Sequence, residues 1–305
     1  MLRHSITHDK NSSGLRLDRN ECICPSIVRN ILTDANIVEG DYCKYTSAYN
    51  FIDLLSQTLK VNPDNIYLDN GSENVLKNLI SLLPCSHWVM QYPTFELFPT
   101  YCELFNKKIK TIPFDYLNDI FSAKIPYSKS EGLYLVDPHN PTGLSYSFEE
   151  IESYCFYYKY VIMDQAYLDP ITVIEKQLPS NLIIVRTFSK LGGITGMRLG
   201  YCYSGDQEVI KKLNQFRPMF INSLTLKLGT TIISNNYTKK ISNEFNQVKD
   251  LLKHYFKENY ILQCGNFILV KNVPTYKGYD LKPYTISDKK LYRMTVFDKE
   301  TFDLL

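Results

Sequence analysis

Short apolar runs of strand-forming residues alternate with helical segments between about residue 45 and residue 205, and this alternation most constrains the fold. The runs predict strands at 88–91, 109–113, 133–136, 160–163, 182–187 and 199–203. Apolar residues at helical spacing predict helices at 73–83 and 148–158. Strands that alternate with helices favour a mostly parallel sheet with helices on both faces, which is an α/β architecture.

The pattern changes towards the end of the chain. An amphipathic segment predicts a long helix over 239–260, and two strands are predicted at 267–270 and 292–296. A chain of 305 residues allows one large domain and a smaller one. This α+β region is therefore expected to belong to a small second domain.

Composition excludes several function classes. A formal net charge of +2 without a long basic run argues against nucleic-acid and acidic-membrane partners. The eight cysteines form no Cys-x-x-Cys pair and do not cluster with the five histidines, so no metal site is predicted. Cysteines in apolar segments predict a cytoplasmic protein. Residues 1–13 lack the apolar segment of a signal peptide, and no apolar run approaches membrane-spanning length.

Lys190 carries the most specific chemistry in the chain. It follows the predicted strand at 182–187, and Arg198 comes eight positions later. A lysine amine at the end of a buried strand has a lowered pKa and can form a Schiff base with an aldehyde. A nearby arginine and the hydroxyls of Thr187 and Ser189 suit a phosphate. Pyridoxal 5'-phosphate carries both groups, although a surface lysine after an ordinary strand remains the alternative.

Two further loops offer partners for a pyridoxal ring. Two prolines and Gly143 restrict the loop at 137–143, which fixes the direction of the Asn140 amide towards a phenolic oxygen. Asp164 ends the next strand, and a carboxylate on the pyridine nitrogen makes the ring an electron sink. Tyr167 can reach the phenolic oxygen from the other side. A tight turn and a helix cap are the ordinary alternatives.

Phosphate and ring contacts are predicted elsewhere as well. Gly71, Ser72 and Glu73 open a predicted helix, whose free backbone N–H groups can bind phosphate. A plain N-cap at Ser72 is the alternative. Phe95 can stack on the cofactor ring and Tyr45 can donate to the phosphate, whereas core packing and surface exposure are their alternatives. Because ligands of open α/β sheets bind at the carboxyl ends of strands, these motifs predict one shared site.

Together with other short motifs, these residues resemble the fold-type-I, pyridoxal-phosphate-dependent aminotransferases of class I/II, in particular the histidinol-phosphate aminotransferase branch. The matching segments are LDRNE at 17–21, NGSE at 70–73, YPTF at 92–95, NPTG at 140–143, DQAY at 164–167, RTFSK at 186–190, GMRLG at 196–200, GNF at 265–267 and YRMTV at 292–296. The resemblance implies a seven-stranded, mostly parallel sheet in a large domain at 30–235. It also implies a small domain built from 1–29 plus 236–305.

The resemblance also implies a role for each matching residue. Lys190 would bind the cofactor covalently and then move a proton between the substrate and the cofactor. Asp164 would pair with the pyridine nitrogen, while Asn140 and Tyr167 would hold the phenolic oxygen. The implied phosphate contacts are Gly71, Ser72, Glu73, Thr187, Ser189 and Arg198.

Dimerisation and substrate binding are implied in the same way. Tyr45 would reach the phosphate site of a second subunit, which implies a homodimer. Arg293 matches the arginine that grips the acidic group of the substrate, and Asn20 is a second expected substrate contact. Compared with typical members of this family, the chain is shorter between 198 and 266 and beyond 293, within the region that shapes the substrate pocket.

The predicted reaction is transamination between an amino acid donor, glutamate, and a small phosphorylated carbonyl or amine compound. Histidinol phosphate is the expectation for this branch. The segment at 217–223 is instead similar to members found with surface-polysaccharide genes, which act on three-carbon phosphates. Decarboxylation of a phosphorylated hydroxy amino acid is the alternative on the same scaffold. A cofactor-binding regulator is a third, but it carries an added DNA-binding domain that 305 residues are not expected to accommodate.

Overall fold

The structure, a computed structural model, describes residues 15–129, 131–216, 221–272 and 279–302. The prediction for residues 1–13 lies outside the described residues. So do positions 217–220 of the segment that resembles the polysaccharide-associated members.

The described strands form one large sheet, one four-stranded sheet and two small pairs. In chain order they are β1 Leu15–Arg16, β2 Ile66–Asp69, β3 His87–Tyr92, β4 Lys108–Pro113, β5 Asp115–Leu117, β6 Ile120–Ser122, β7 Gly132–Val136, β8 Tyr160–Asp164, β9 Leu182–Thr187, β10 Gly200–Ser204, β11 Tyr260–Cys264, β12 Phe267–Val270, β13 Tyr279–Asp280, β14 Lys282–Ile286 and β15 Lys289–Thr295.

The described helices are α1 Pro25–Ala35, α2 Glu39–Cys43, α3 Tyr49–Leu59, α4 Ser72–Leu82, α5 Leu97–Leu104, α6 Phe148–Tyr157, α7 Gln207–Leu213, α8 Ser223–Ser234, α9 Tyr237–Phe256 and α10 Lys299–Phe302. Short 3-10 helices cover Pro63–Asn65, Thr195–Met197 and Lys257–Asn259. Every helix among the described residues is too short or too polar to cross a bilayer.

The large sheet has seven strands in the order β2-β10-β9-β8-β7-β3-β4. Strand β10 runs antiparallel to both of its neighbours, and the other strand pairs are parallel. The predicted seven-stranded, mostly parallel sheet is therefore confirmed. Because successive side chains on a strand face opposite sides, Tyr134 packs among residues of α4 and α5 while Leu133 and Leu135 pack against α6. The sheet is thus buried on both faces.

The topology brings the predicted motifs to one edge of this sheet. Strands β2, β3, β7, β8 and β9 end there, and each is followed by one of the polar loops. Strand β10 runs in the opposite direction, so its first residue, Gly200, lies at the same edge, two residues after Arg198. Strand ends from widely separated parts of the chain therefore supply one continuous set of polar groups.

A four-stranded antiparallel sheet, in the order β11-β12-β15-β14, covers that edge. The N-terminal segment joins it, since the Thr295 N–H donates to the Leu17 carbonyl oxygen at 2.8 Å. The helix predicted over 239–260 is wrong at its end. It stops at Phe256, because Lys257 adopts a positive φ of 48°, and Tyr260 instead begins β11.

One apolar core joins α1, α3, α8 and α9 with strands of both sheets. Its fully buried members include Ile31, Leu55, Ile232, Phe245, Tyr201, Ile268 and Val296. The division into domains at 30–235 and at 1–29 plus 236–305 stays a prediction.

Candidate active site

A cleft of about 820 Å³ lies between the edge of the large sheet and the four-stranded sheet. Most of the residues predicted from sequence line it, namely Ser72, Glu73, Phe95, Asn140, Asp164, Tyr167, Thr187, Ser189, Lys190, Arg198 and Arg293. Three predicted residues are not in its lining. Gly71 is buried next to Arg198, Asn20 is buried and donates to Tyr167, and Tyr45 is 82% exposed.

Lys190 extends from the loop after β9 into this cleft. Its Nζ donates to the carbonyl oxygen of Asn20 at 2.6 Å. Burial, assisted by the nearby positive charges of Arg293 and Arg198, lowers the pKa of Lys190 to about 7. At neutral pH a large fraction of this amine is therefore unprotonated and nucleophilic.

Asp164 ends β8 and is only 3% exposed. Its Oδ2 accepts a hydrogen bond from the Tyr134 hydroxyl at 2.8 Å, and its Oδ1 accepts one from the backbone N–H of Ala166 at 3.0 Å. Burial raises the pKa of Asp164 to about 6, although the hydrogen bond from Tyr134 opposes that shift. A buried carboxylate of this kind favours a cationic or proton-bearing nitrogen as its ligand.

Tyr167 is the centre of a buried hydrogen-bond network. Its hydroxyl accepts from Asn140 Nδ2 at 2.8 Å and from Asn20 Nδ2 at 3.2 Å. Asn20 is held in turn by Thr295, whose Oγ1 accepts the Asn20 backbone N–H at 2.9 Å. The side chain of Asn20 therefore supports Tyr167, and its backbone carbonyl accepts from Lys190.

Arg198, Ser189 and Thr187 form a polar pocket at one end of the cleft. Arg198 Nη1 donates to Ser189 Oγ at 3.0 Å, and Thr187 Oγ1 lies 3.0 Å from the same oxygen. A Cβ on Gly71 would lie 2.7 Å from Arg198 Nη2, and a Cβ on Gly200 would lie 2.1 Å from the Ser72 backbone nitrogen. These two glycines allow the start of α4 to approach the arginine closely, which concentrates positive charge and free N–H groups in one place.

Glu73 contributes to this pocket in a limited way. Its carboxylate accepts from the Tyr101 hydroxyl at 2.6 Å and lies 3.8 Å from Arg198 Nη2. A carboxylate repels an anion, so only the backbone N–H of Glu73 can contact a phosphate. The side chain instead orients Arg198.

Arg293 lies on the opposite wall of the cleft and is 5% exposed. Its Nη1 donates to Asn140 Oδ1 at 2.9 Å and to the Tyr284 hydroxyl at 3.0 Å, and its Nη2 donates to the Asp18 carbonyl oxygen. Its buried Nε has no hydrogen-bond partner, and no acidic residue in the described ranges forms an ion pair with it. A buried cation without a carboxylate partner suits an anionic ligand.

Several lining residues were not predicted from sequence. Lys282 and Tyr284 project from β14, and Lys282 Nζ forms an ion pair with Glu96 Oε1 at 2.7 Å beside the cleft. Tyr134 was not predicted either, and it does not line the cleft but reaches Asp164 from the neighbouring strand. Nothing local distinguishes these residues, since a lysine on an edge strand and a tyrosine in a buried strand are both common.

The described residues contain no cluster of three or more side chains that could ligate a metal ion. A lysine with a lowered pKa, a buried carboxylate and an anion pocket at a helix start, all at the carboxyl edge of this sheet, define a pyridoxal-phosphate-dependent enzyme of fold type I. The particular family follows from comparison with known proteins. The model of the family "Aminotransferase class I and II" matches residues 15–296, so the chain belongs to that family and is an aminotransferase that uses pyridoxal phosphate.

Individual relatives agree with this assignment. A histidinol-phosphate aminotransferase from Christiangramia forsetii is 31% identical over 247 residues, which cover 74% of this chain and 69% of the relative. The crystal structure of a histidinol-phosphate aminotransferase from Sinorhizobium meliloti, in complex with pyridoxal-5'-phosphate, has a TM-score of 0.77 at 18% identity, covering 95% of this chain and 88% of that chain.

The L-threonine-O-3-phosphate decarboxylase of Porphyromonas gingivalis is also similar in fold. Its TM-score is 0.69 at 17% identity, with 91% of this chain and 94% of that chain covered. At these identities the two solved structures establish the fold that they share with this protein.

Proposed function

We propose that this aminotransferase moves an amino group between glutamate and a small phosphorylated carbonyl or amine compound, of the histidinol-phosphate type or a three-carbon phosphate. The observation that carries the proposal is Arg293, a buried cation that faces Lys190 across one cleft without an acidic partner among the described residues. An anionic group on the substrate would compensate this charge and bring the neighbouring carbon towards Lys190 Nζ. The names of the histidinol-phosphate aminotransferase relatives support that choice of substrate.

The described residues fit pyridoxal phosphate. The phosphate would be held by Arg198, Ser189, Thr187 and the backbone N–H groups at the start of α4. The Asp164 carboxylate would pair with the ring nitrogen, and Asn140 and Tyr167 would hold the phenolic oxygen. Phe95 lines the cleft and would cover the ring.

Pyridoxal phosphate, when bound, supplies an electron sink for the electron pair left on the substrate α-carbon. The chain itself moves the proton. Lys190 Nζ has a pKa of about 7, so it can accept a proton from carbon and return it without a large energetic penalty. Its hydrogen bond to the Asn20 carbonyl orients the amine. Arg293 orients the substrate through its anionic group.

A homodimer is part of the proposal. Tyr45, Tyr42 and Tyr49 are 82%, 69% and 71% exposed and lie in one segment of the chain. Burial of these rings against a second copy would remove apolar surface from water and could bring Tyr45 to the partner's phosphate pocket. The eight free thiols support a cytoplasmic location.

A complementation experiment tests shared sites. Tyr45→Ala and Lys190→Ala proteins should each have low activity, and mixing them should restore part of it. In a mixed dimer one site combines an intact Lys190 with an intact Tyr45 from the partner subunit. Absence of recovery in a sample that contains mixed dimers would contradict the shared site.

A half-reaction screen tests the substrate assignment. Purified holoenzyme is incubated with glutamate alone, and one 2-oxoglutarate per site should be released. A panel of phosphorylated ketones is then added, and the expected acceptor should be consumed with return of the original cofactor spectrum. Release of carbon dioxide from a phosphorylated hydroxy amino acid, without 2-oxoglutarate formation, would favour the decarboxylase instead.

A further inference from the structure

We infer that Tyr134 is a positioning residue whose hydroxyl holds the Asp164 carboxylate ionised and directed at the cofactor's ring nitrogen. The inference rests on the proposed binding of pyridoxal phosphate in the cleft. Tyr134 does not line that cleft and would touch neither substrate nor cofactor, so its effect is exerted through Asp164.

The geometry that carries this inference begins in two neighbouring strands. In the parallel pair β7–β8, Tyr134 lies opposite Ile162, and Asp164 lies two residues further along the same face. The Tyr134 hydroxyl therefore reaches Asp164 Oδ2, at 2.8 Å. The Ala166 N–H occupies one site on Oδ1 at 3.0 Å. Each carboxylate oxygen can accept two hydrogen bonds, so both retain capacity for a donor in the cleft.

The position of the hydroxyl is fixed by an aromatic column that comprises Trp88, Phe98 and Tyr134. The Tyr134 and Phe98 rings are stacked with centroids 3.7 Å apart, and Trp88 packs edge-on against Phe98 at 5.6 Å. A Cβ on Gly132 would lie 2.5 Å from Trp88 Cε3, so the glycine leaves the room that the indole occupies. All three rings are essentially inaccessible to water. The Tyr134 ring therefore has little freedom to move away from Asp164.

Electrostatics gives this contact a chemical consequence. Burial disfavours the ionised form of Asp164, whereas the Tyr134 hydrogen bond stabilises that form, and with burial as the larger effect the pKa of Asp164 is raised to about 6. Burial and the adjacent carboxylate hold the pKa of Tyr134 well above its ordinary value, so the phenol stays a proton donor at neutral pH. Without it, the proton shared between Asp164 and a ring nitrogen would shift towards the carboxylate. The ring would then be a weaker electron sink.

The test uses holoenzyme loaded with pyridoxal phosphate that carries ¹⁵N in its ring. Tyr134→Phe keeps the stacked ring and removes only the hydroxyl. The native ¹⁵N resonance is expected at a protonated-pyridine position, and in Tyr134→Phe it should move towards the unprotonated position. The kcat should fall about 10- to 100-fold with KM unchanged, because one hydrogen bond to a charged group is lost.

Tyr201→Phe is the matched control. Tyr201 is equally buried in β10 of the same sheet, but its hydroxyl donates to the Pro170 carbonyl oxygen. This variant loses a buried hydrogen bond to a neutral acceptor and should keep the native ¹⁵N resonance and the native kcat. An equal effect of Tyr134→Phe and Tyr201→Phe would assign Tyr134 a purely structural role and overturn the inference.

A double-mutant comparison also separates a positioning role of Tyr134 from a purely structural one. In an Asp164→Asn background, Tyr134→Phe should cause no further loss of kcat, because the charge that the hydroxyl supports is already absent. A full loss of kcat in both backgrounds would contradict the inference.

If native protein binds no labelled cofactor at Lys190, the proposed function itself fails. If it binds and the ¹⁵N position is the same in native and Tyr134→Phe protein, only the inference fails.

Discussion

The two walls of the cleft are built in different ways. The first, the sheet wall, consists of Ser72, Asn140, Asp164, Lys190 and Arg198 at the edge of the large sheet. The second, the strand wall, consists of Lys282, Tyr284 and Arg293, which project from β14 and β15. Groups of the sheet wall lie at strand ends or within a few residues of them, whereas those of the strand wall lie within two strands. Local sequence motifs can therefore predict the residues of the sheet wall, whereas most of those of the strand wall become apparent only from the tertiary structure.

The charges of the two walls differ as well. On the sheet wall, Arg198 has Glu73 within 3.8 Å and Asp164 has two hydrogen-bond donors. On the strand wall, the buried Arg293 contacts only neutral groups among the described residues. We infer that the sheet wall is organised for a resident cofactor, while Arg293 on the strand wall is left uncompensated for the substrate.

The largest expected effect is on the sheet wall. Lys190→Ala should lower turnover by at least about 10⁴-fold and remove the visible absorbance of the bound cofactor, because the nucleophile and the proton carrier are one group. Turnover and absorbance spectra measure this. Lys176→Ala, at an exposed ion pair with Glu149, is the control and should behave like native protein. Unchanged absorbance in Lys190→Ala would refute the role of this residue.

Asp164→Asn should lower kcat by about 10²- to 10³-fold, because a neutral amide no longer keeps the ring nitrogen protonated. Cofactor retention should change little, since the Arg198 pocket holds the phosphate independently. Steady-state kinetics and equilibrium dialysis separate the two quantities. Loss of cofactor from Asp164→Asn, with a normal kcat in the fraction that retains it, would show that Asp164 holds the cofactor and does not support turnover.

The strand wall should affect substrate binding instead. Arg293→Gln removes a charge-assisted contact and should raise KM for glutamate by about 10- to 100-fold, while pyridoxal phosphate binds as before. Arg293→Lys, which keeps the charge but loses the planar fork, should give a smaller increase. A reduced cofactor affinity with an unaltered KM in Arg293→Gln would contradict the assignment of the strand wall to the substrate.

The pH dependence of cofactor capture tests the role of Lys190 on the sheet wall. Only unprotonated Lys190 can attack the cofactor aldehyde, and its pKa in the folded protein is lowered to about 7. The second-order rate of cofactor capture by cofactor-free protein should rise about tenfold per pH unit below 7 and level off above it. Stopped-flow absorbance measures the rate. A continued rise up to pH 10 would indicate an ordinary, solvated lysine.

Tyr284→Phe has the smallest expected effect. It removes one of the hydrogen bonds that Arg293 donates, at 3.0 Å, and leaves the guanidinium in place. KM for glutamate should rise by about 2- to 10-fold, which corresponds to one hydrogen bond of about 0.5–1.5 kcal/mol. An effect as large as that of Arg293→Gln would mean that Tyr284 itself binds the substrate.

Particular elements explain what the sequence could predict. Strand β9 has the predicted bounds, because its short run of Leu, Ile and Val is rich in β-branched residues, and α4 lies within one residue of its prediction. Strand β14 was missed, because Pro283 and alternating polar residues hide a strand that lies at the sheet edge, where proline is tolerated. The antiparallel direction of β10 could not be predicted, since an apolar pattern carries no direction.

The site follows the same division. Four site residues could be predicted from their positions next to strand ends, namely Lys190, Asp164, Asn140 and Arg198. The structure brings all four into one cleft. The bond from Tyr134 to Asp164 joins residues 30 positions apart in sequence. Such a contact depends on strand order and register, which no local motif encodes. The same holds for Tyr284 and Lys282 beside Arg293.

The central claim is that Lys190 carries the cofactor, and chemical trapping tests it most directly. Holoenzyme is reduced with borohydride and digested, and the peptides are analysed by mass spectrometry. We predict one phosphopyridoxyl group per chain, attached to Lys190 Nζ. Attachment to any other lysine, or no attachment in protein that was saturated with pyridoxal phosphate, would contradict the account.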